Sequence, residues 1–254
     1  MDVWLAKSEK PTPVLVFIHG GGFLRGDKRV NPRELEACLK KGISVAAITY
    51  RFSSEAMAPA SFLDGARAIQ FLRYKAKEWN LDAKRISATG GSAGGGISLW
   101  LAFHDDLADP KSGDPVSRQS TRLSSAVVIN AQCSYDPRFT RELLPGSNTY
   151  QHPALASLFG IDIEKLDKLP ADKYKLMEEV SPINHLTQDD PPVMLIYNRG
   201  LDADANIHHA KFGKVLKDKM DKMGIPCVLI AAGKAVGNGE RQSTIEFITR
   251  YWRD

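Results

Sequence analysis

Short apolar runs rich in β-branched residues alternate along this chain of 254 residues with segments of helical periodicity. The runs predict strands at 14–19, 44–50, 85–89, 126–130, 193–197 and 227–231, with a short edge strand at 2–5. The periodic segments predict helices at 32–40, 61–79, 93–104, 210–223 and 242–252. Because the apolar runs are continuous, these strands should be buried on both faces. The pattern predicts an α/β fold in which a mostly parallel sheet carries helices on both faces.

One stretch, 132–190, interrupts this alternation with helical pieces and many Pro and Asn residues. The length fits one domain, and 43% hydrophobic with 25% charged residues is typical of a folded globular protein. We therefore expect one domain over 1–254. Residues 132–190 are expected to form an insertion or small cap over the carboxyl ends of the strands, where such sheets bind ligands.

Composition and charge argue against several classes of protein. The cysteines Cys38, Cys133 and Cys227 lie far apart, so neither a zinc site nor a disulfide framework is expected. A net charge of +4 without a basic cluster argues against nucleic-acid binding. No apolar stretch approaches the roughly 18 residues of a membrane-spanning helix. The chain begins without a basic segment and apolar run, so we expect a cytoplasmic protein, with export left open if the natural N-terminus is longer.

The G-x-S-x-G sequence at 90–94 is the first chemical motif. It follows the predicted strand 85–89 and opens the predicted helix 93–104. A sharp strand-to-helix turn needs glycines beside the serine, and it exposes the hydroxyl of Ser92 at the top of the sheet. The helix N-terminus favours negative charge developing there. This context predicts a nucleophile, although a Gly-rich helix start capped by Ser92 would have the same sequence.

The second motif is the His-Gly-Gly-Gly sequence at 19–22, directly after the predicted strand 14–19. Three glycines let the backbone turn so that N–H groups point into a cavity. Such groups stabilise the oxyanion of acyl transfer, and one donor contributes roughly 3 kcal/mol. The loop precedes the serine turn by about seventy residues, as the oxyanion loop of a hydrolase sheet does.

Together these motifs resemble the α/β-hydrolase fold, and within it the bacterial esterase/lipase group with HGGG and GxSAGG motifs. Members include hormone-sensitive-lipase-like carboxylesterases and acetyl or feruloyl esterases. The resemblance implies Ser92 as nucleophile and the N–H groups of Gly21, Gly22 and Ala93 as oxyanion donors, with no cofactor or metal. His19 is expected to be structural.

The acid of such a triad follows the strand 193–197, because the catalytic residues of this fold come in the order Ser, acid, His. Asp202 and Asp204 both stand there. Family members often carry D-x-x-V-P at this loop, and 204–208 matches that spacing, so the resemblance favours Asp204.

The histidine departs from the family pattern. Family members carry it just after the last strand, where residues 231–240 contain none. Without a base, a serine hydroxyl is a weak nucleophile. The departure therefore leaves open a catalytically impaired protein that keeps the pocket for binding.

His208 is the candidate replacement base. It lies at the start of the predicted helix 210–223, on the same side of the sheet as Ser92. Its spacing of four residues from Phe212 places it on the apolar side of that helix. His152, in the insertion, and Lys234, near the usual histidine position, are the alternatives. Two further histidines are expected far from the serine: His104 and His185.

The sequence therefore predicts a serine carboxylesterase for short-chain or sugar-linked esters, acting through an acyl-enzyme on Ser92. Its expected partner is a small-molecule ester, with no nucleic acid, membrane or metal involved. The binding protein described above is the first alternative. A serine peptidase of the same fold is the second, and it is disfavoured because such peptidases usually carry a large extra domain. The sequence does not indicate an oligomeric state.

Overall fold

A sheet of eight strands organises the computed structural model, which describes residues 1–237 and 239–252. In chain order the strands are β1 Asp2–Trp4, β2 Thr12–Ile18, β3 Ser44–Ile48, β4 Leu81–Gly91, β5 Ser125–Ile129, β6 Val193–Tyr197, β7 Cys227–Ala231 and β8 Lys234–Val236. Their order across the sheet is β1-β3-β2-β4-β5-β6-β7-β8. The six strands β2 to β7 run parallel, whereas β1 and β8 are antiparallel edges. The predicted mostly parallel sheet is confirmed.

Eight α-helices connect or flank these strands in the described residues. They are α1 Pro32–Lys40, α2 Ala60–Lys75, α3 Ala93–Phe103, α4 Pro137–Leu143, α5 Pro153–Phe159, α6 Ala171–Glu179, α7 Lys211–Lys222 and α8 Thr244–Tyr251. Short 3₁₀ helices lie at Thr149–Gln151, Ile163–Lys168 and Pro182–Asn184. Among the residues described, no helix has both the length and the apolar character that crossing a membrane requires.

Both faces of the sheet are covered by helices, as predicted. Val16 of β2 belongs to one hydrophobic cluster together with side chains of α2, α3 and α7. Its neighbour Leu15 belongs to a second cluster with Cys38 of α1 and Phe247 of α8. Successive residues of a strand point to opposite faces, so a continuous apolar run fills two cores at once.

The structure corrects three details of the predicted elements. The edge strand β8 is absent from the sequence prediction, because three residues paired only through a tight turn carry no periodic signal. The predicted helix 61–79 ends earlier, at Lys75, and β4 begins at Leu81 rather than at 85. The predicted helix 210–223 spans Lys211–Lys222, and His208, expected on its apolar side, lies in the loop before it.

The segment between β5 and β6 contains α4, α5, α6 and the three 3₁₀ helices. Residues 152–155, at the N-terminal turn of α5, line the cavity that holds Ser92.

The three cysteines, which lie in other parts of the chain, are buried free thiols.

Candidate active site

Ser92 occupies the turn between the central strand β4 and helix α3. Its backbone has φ 51° and ψ −120°, a combination that few non-glycine residues adopt. The turn is held from both sides: the Ser92 N–H donates to the Ile129 carbonyl (2.8 Å), and the Ser92 carbonyl accepts from Gly96 N–H (2.9 Å). Such a strained strand-to-helix turn lifts the hydroxyl away from the backbone and exposes it at the end of the sheet.

Gly94 allows the start of α3 to pack directly against the end of β2. A Cβ at this position would lie 2.0 Å from the Ile18 carbonyl oxygen and 2.5 Å from that of His19. No side chain fits there, so the close approach depends on glycine. The contact sets Ser92 beside the loop that follows β2.

That loop supplies backbone N–H groups to the same cavity. Gly21 has φ +116° and Gly22 has φ +64°, and both line the cavity with Ser92 and Ala93. Within residues 1–237 and 239–252, neither glycine N–H has a hydrogen-bond acceptor. Ala93 is the first residue of α3, where an N–H lacks an intrahelical partner. The structure thus brings together the three donors that the family resemblance implies.

His19 has the structural role expected of it. Its Nδ1–H donates to the Gly20 carbonyl at 2.7 Å, and its ring stacks on Tyr50 with centroids 4.4 Å apart. The Tyr50 hydroxyl in turn donates to the His19 carbonyl at 2.9 Å. These contacts fix the start of the glycine loop.

The imidazole of His208 is in hydrogen-bond contact with Ser92. Its Nε2 lies 2.9 Å from the Ser92 Oγ, although the two residues are 116 positions apart in the chain. The helical spacing to Phe212 predicts this histidine on a helix, and that prediction is wrong. The residue instead lies in the loop between β6 and α7.

Two side chains hold the backbone on either side of His208. The Asn206 Oδ1 accepts the His208 N–H at 2.8 Å, and the Gln132 Nε2 donates to the Ile207 carbonyl. Gln132 is 3% exposed and follows closely after β5. Sequence reasoning missed this residue, although a polar side chain just beyond a buried strand is a usable signal for a site.

The surroundings of His208 favour its neutral form. Burial lowers the pKa of this imidazole, and a second imidazole, His152, lowers it further by like-charge repulsion. Burial also lowers the pKa of His152. The Nδ1 of His152 accepts the Ala154 N–H at 3.2 Å, which ties this ring to the start of α5. A neutral imidazole can accept the serine proton.

The two candidate acids lie in the same loop as His208. Asp202 and Asp204 are both exposed, and neither carboxylate is hydrogen-bonded to His208 in the described part of the chain. The Asp204 carbonyl accepts from the Asn206 side chain at 2.8 Å. A polar cavity of about 320 Å³ borders His208, and its lining includes Asn130, Asn198, Arg199 and Asn206.

Two alternative bases are placed differently. His152 reaches the cavity that holds Ser92. Lys234 begins the edge strand β8, is exposed and does not line that cavity. His104 and His185 lie together near the far end of α3. Of the predicted replacements for the missing histidine, His208 alone is in hydrogen-bond contact with the serine among the described residues.

The cavity above Ser92 has a volume of about 570 Å³. Its walls are mostly apolar, and its lining includes Phe23, Leu24, Tyr135, Pro153, Leu155 and Ile207. Arg25, Gln132 and His152 add polar groups. A cavity of this size with a few placed polar groups is typical of a small-molecule site.

Comparison with known proteins finds matches over nearly the whole chain. The family model described as BD-FAE matches residues 1–248. The probable carboxylic ester hydrolase LipM of Mycobacterium tuberculosis is 29% identical over 203 residues, which cover 78% of this chain and 44% of LipM. Probable carboxylesterase 6 of Arabidopsis thaliana is 36% identical over 160 residues, covering 57% of this chain and 43% of that protein. The chain spans less than half the length of these two relatives.

Solved structures share the fold. An acetyl ester-xyloside bifunctional hydrolase from Caldicellulosiruptor lactoaceticus superposes with a TM-score of 0.73 at 24% identity, over 90% of this chain and 75% of that one. The esterase Est2 of Thermogutta terrifontis, with propionate bound, has a TM-score of 0.69 at 21% identity, over 98% of this chain and 85% of its own. The expected α/β-hydrolase fold is confirmed.

Proposed function

We propose that this chain, which belongs to the BD-FAE family, is a serine carboxylesterase acting on short-chain or sugar-linked carboxylic esters. The observation that carries the proposal is the 2.9 Å contact between Ser92 Oγ and His208 Nε2. This contact supports an activated Ser92 although residues 231–240 contain no histidine. The names of the relatives, which are carboxylic ester hydrolases and esterases, support the same reaction class.

In the first half-reaction His208 Nε2 takes the proton from Ser92 as the Oγ bonds to the ester carbonyl carbon. The carbonyl π electrons move to the oxygen, and the N–H groups of Gly21, Gly22 and Ala93 receive the resulting oxyanion. The intermediate then breaks its bond to the alkoxy oxygen. His208 returns the proton to that oxygen, the alcohol leaves, and an acyl-enzyme on Ser92 remains.

In the second half-reaction water replaces the alcohol. His208 takes a proton from the water as its oxygen bonds to the acyl carbon, and the same N–H groups receive the oxyanion. The bond to Ser92 Oγ breaks, His208 reprotonates the serine, and a carboxylic acid leaves. Water is the co-reactant that balances the step.

The cavity supports a small substrate. Its apolar walls suit a short acyl or aryl group, and its volume of about 570 Å³ leaves room for a compact alcohol such as a sugar. Arg25, Gln132 and His152 provide hydrogen-bonding groups in the same lining. One structural neighbour is named an acetyl ester-xyloside bifunctional hydrolase, which agrees with a sugar-linked ester.

We further propose Asp204 as the acid that orients His208, with Asp202 as the alternative. Both residues follow β6, the position that the chain order Ser, acid, His assigns to the acid. Catalytic hydrogen bonds often form or tighten only when substrate binds, and both exposed carboxylates belong to the same loop as His208.

Hydrolysis of p-nitrophenyl acetate and butyrate tests the proposal. We expect turnover by the wild type and a loss of kcat of at least about 10³-fold in Ser92→Ala and in His208→Gln. Ser98→Ala and His104→Gln are the matched controls and should retain activity. Ser98 is a buried serine of α3, the helix that begins directly after Ser92, and it donates to the Gly94 carbonyl. His104 directly follows the last residue of α3.

A wild type that hydrolyses neither ester faster than Ser92→Ala would contradict the proposed esterase function. The chain would then be a binding protein on a hydrolase scaffold. If Ser92→Ala is inactive and His208→Gln is not, the esterase stands but the base is another group. His152→Gln would then be assayed first, because His152 also lines the cavity.

A further inference from the structure

Two histidines and a glutamate meet at the end of α3 opposite Ser92. His104 directly follows α3, Glu179 is the last residue of α6, and His185 follows the 3₁₀ helix Pro182–Asn184. One potential ligand atom from each of the three lies within 4.8 Å of the others. The intervening helix of 11 residues is roughly 16 Å long, so this cluster is separate from the serine cavity.

The hydrogen bonds of His104 define which nitrogen faces the glutamate. Its Nδ1 lies 2.8 Å from the Asp105 carbonyl oxygen, which only accepts, so Nδ1 carries a hydrogen. Its Nε2 lies 3.0 Å from the Glu179 Oε1. In the neutral ring this places a lone pair against a carboxylate. A metal ion between them converts that repulsion into attraction.

His185 also has one ring nitrogen on a backbone carbonyl. Its Nε2–H donates to the Glu179 carbonyl, so in the neutral ring the lone pair is on Nδ1. A histidine that donates one ring N–H to a backbone carbonyl and offers the other nitrogen is the usual state of a metal ligand. In the neutral rings these hydrogen bonds leave the lone pair on Nε2 of His104 and on Nδ1 of His185 for a metal.

The rings are held in place by an indole. Trp100 is 1% exposed, and its ring lies 4.2 Å from that of His104 between centroids. Its Nε1–H donates to the Glu179 carbonyl at 2.9 Å. The two imidazole centroids are 4.6 Å apart. These contacts fix two ligands before any metal binds, which reduces the entropy lost on binding.

We propose that His104, Glu179 and His185 bind a divalent transition metal ion, Zn²⁺ in the first instance. Two imidazoles and one carboxylate suit Zn²⁺, with water completing a tetrahedron. Metal–ligand bonds of about 2.0–2.2 Å put the ligand atoms of a tetrahedral site about 3.3 Å apart. The three candidate atoms lie within 4.8 Å of one another, so no distance between them must shorten by more than about 1.5 Å. The Glu179 side chain, which is 47% exposed, has the freedom to make that movement.

Such an ion would join two separate parts of the chain. His104 directly follows α3, the helix that begins after Ser92, whereas Glu179 and His185 belong to the segment between β5 and β6. Binding would stabilise the folded protein and hold that segment against α3. The site is proposed to be structural, and its test does not depend on esterase activity.

Titration of the EDTA-treated, dialysed protein with zinc chloride in a calorimeter tests the proposal. We expect one ion per chain with a micromolar or tighter Kd, and at least tenfold weaker binding in His104→Gln, Glu179→Gln and His185→Gln. Glu178→Gln is the matched control, because its carboxylate pairs with Arg138 outside the cluster. Zn²⁺ at 100 times Kd should raise the melting temperature by several degrees in the wild type and not in Glu179→Gln.

The imidazoles of the serine cavity, His152 and His208, are the competing site. Zinc binding that survives in His104→Gln and His185→Gln but is lost in His208→Gln would overturn the proposal. So would a wild type that binds no zinc at 100 μM. Cobalt gives an independent readout: the intense visible absorption of tetrahedral Co²⁺ should appear in the wild type and be absent from Glu179→Gln.

Discussion

The two sides of the serine cavity are built in different ways. On the nucleophile side, Ser92 and Ala93 lie between a central strand and a buried helix, and Gly94 packs against the backbone of β2. On the base side, His208 lies in the loop 198–210, held by side chains that bond to its backbone. The first side is fixed by contacts that only glycine permits. The second is fixed by single hydrogen bonds, each of which can be lost alone.

This difference indicates which side of the site can change its residues during evolution without a change in the sheet. A base on a loop can be moved between elements without altering the sheet, whereas the proposed nucleophile and oxyanion donors depend on turns at the strand ends. The family's usual histidine position after β7 has no histidine, yet His208 contacts the serine from the neighbouring loop after β6. Predictions on each side, taken from the largest expected effect to the smallest, sharpen or break this comparison.

The largest expected effect is on the base side, at the acid. If Asp204 orients His208, Asp204→Asn should lower kcat by about 10³–10⁴-fold, as removal of a triad carboxylate does. Asp202→Asn is the matched control in the same loop and should stay close to wild type. Steady-state hydrolysis of p-nitrophenyl acetate measures both, and the free energy of unfolding by urea should be unchanged because both residues are exposed.

A reversal of the two variants would move the acid to Asp202. If neither variant loses activity, His208 works without a carboxylate, and the base side is simpler than the triad predicts. Either result changes the assignment of one residue and leaves the contact between Ser92 and His208 intact.

The second prediction concerns the nucleophile side and stability. Gly94→Ala should destabilise the fold by about 3 kcal/mol or more, because the new Cβ meets backbone oxygens that cannot move aside. Gly113→Ala is the control, since a Cβ there has no atom within 4 Å and its φ lies outside the left-handed region. Urea unfolding measures both. A Gly94→Ala protein as stable as the control would show that this side adapts as readily as the loop.

The same contrast explains how much the sequence alone can predict. Strands buried on both faces leave continuous apolar runs, so the sequence predicts β6 and β7 at the residues where they occur. The serine turn and the glycine loop are predictable because close backbone approach restricts those positions to glycine, which leaves a local motif. The three-residue strand β8 has no periodicity and depends on its pairing with β7.

The sequence points to His208 through an argument that is wrong in its geometry. The helical spacing to Phe212 does not apply, because α7 begins at Lys211. What holds the loop is a hydrogen bond from Gln132, a residue 75 positions before Ile207. Loop conformations set by such distant partners have no periodic signal in the sequence, and the contact becomes visible only once the sheet has brought β5 and β6 together.

The third prediction tests that bond. Gln132→Leu leaves the partly buried Ile207 carbonyl without its donor, which should lower the free energy of unfolding by about 1 kcal/mol. Because the neighbouring residue is His208, kcat should fall by about tenfold or more with little change in KM. Gln119→Leu is the control, because among the described residues the Gln119 side chain donates to the Pro115 carbonyl alone.

A purely structural role for Gln132 would lower the free energy of unfolding and leave kcat at wild-type level once the protein is folded. Measuring both quantities on the same preparation therefore separates positioning from stability. If kcat is unchanged, the loop keeps His208 in place through Asn206, and the base side is more robust than proposed.

The smallest expected effect is on pH dependence. The neutral imidazole is the active form of a base, so kcat/KM rises as the pH passes upward through the pKa of His208. Burial and His152 both lower that pKa, so the acid limb should have its midpoint below the ordinary value of about 6.5. His152→Gln removes one of the two causes. It should move the midpoint upward, toward that value, without abolishing activity.

The pH profile of His152→Gln distinguishes the two roles that His152 can have. If it acts only through charge, His152→Gln changes the midpoint of the profile and leaves the plateau of kcat near wild type. A fall in the plateau with an unmoved midpoint means that His152 contacts the substrate or shares the proton transfer. The base side of the cavity would then include α5 as well as the loop after β6, because His152 is tied to Ala154 at the start of that helix.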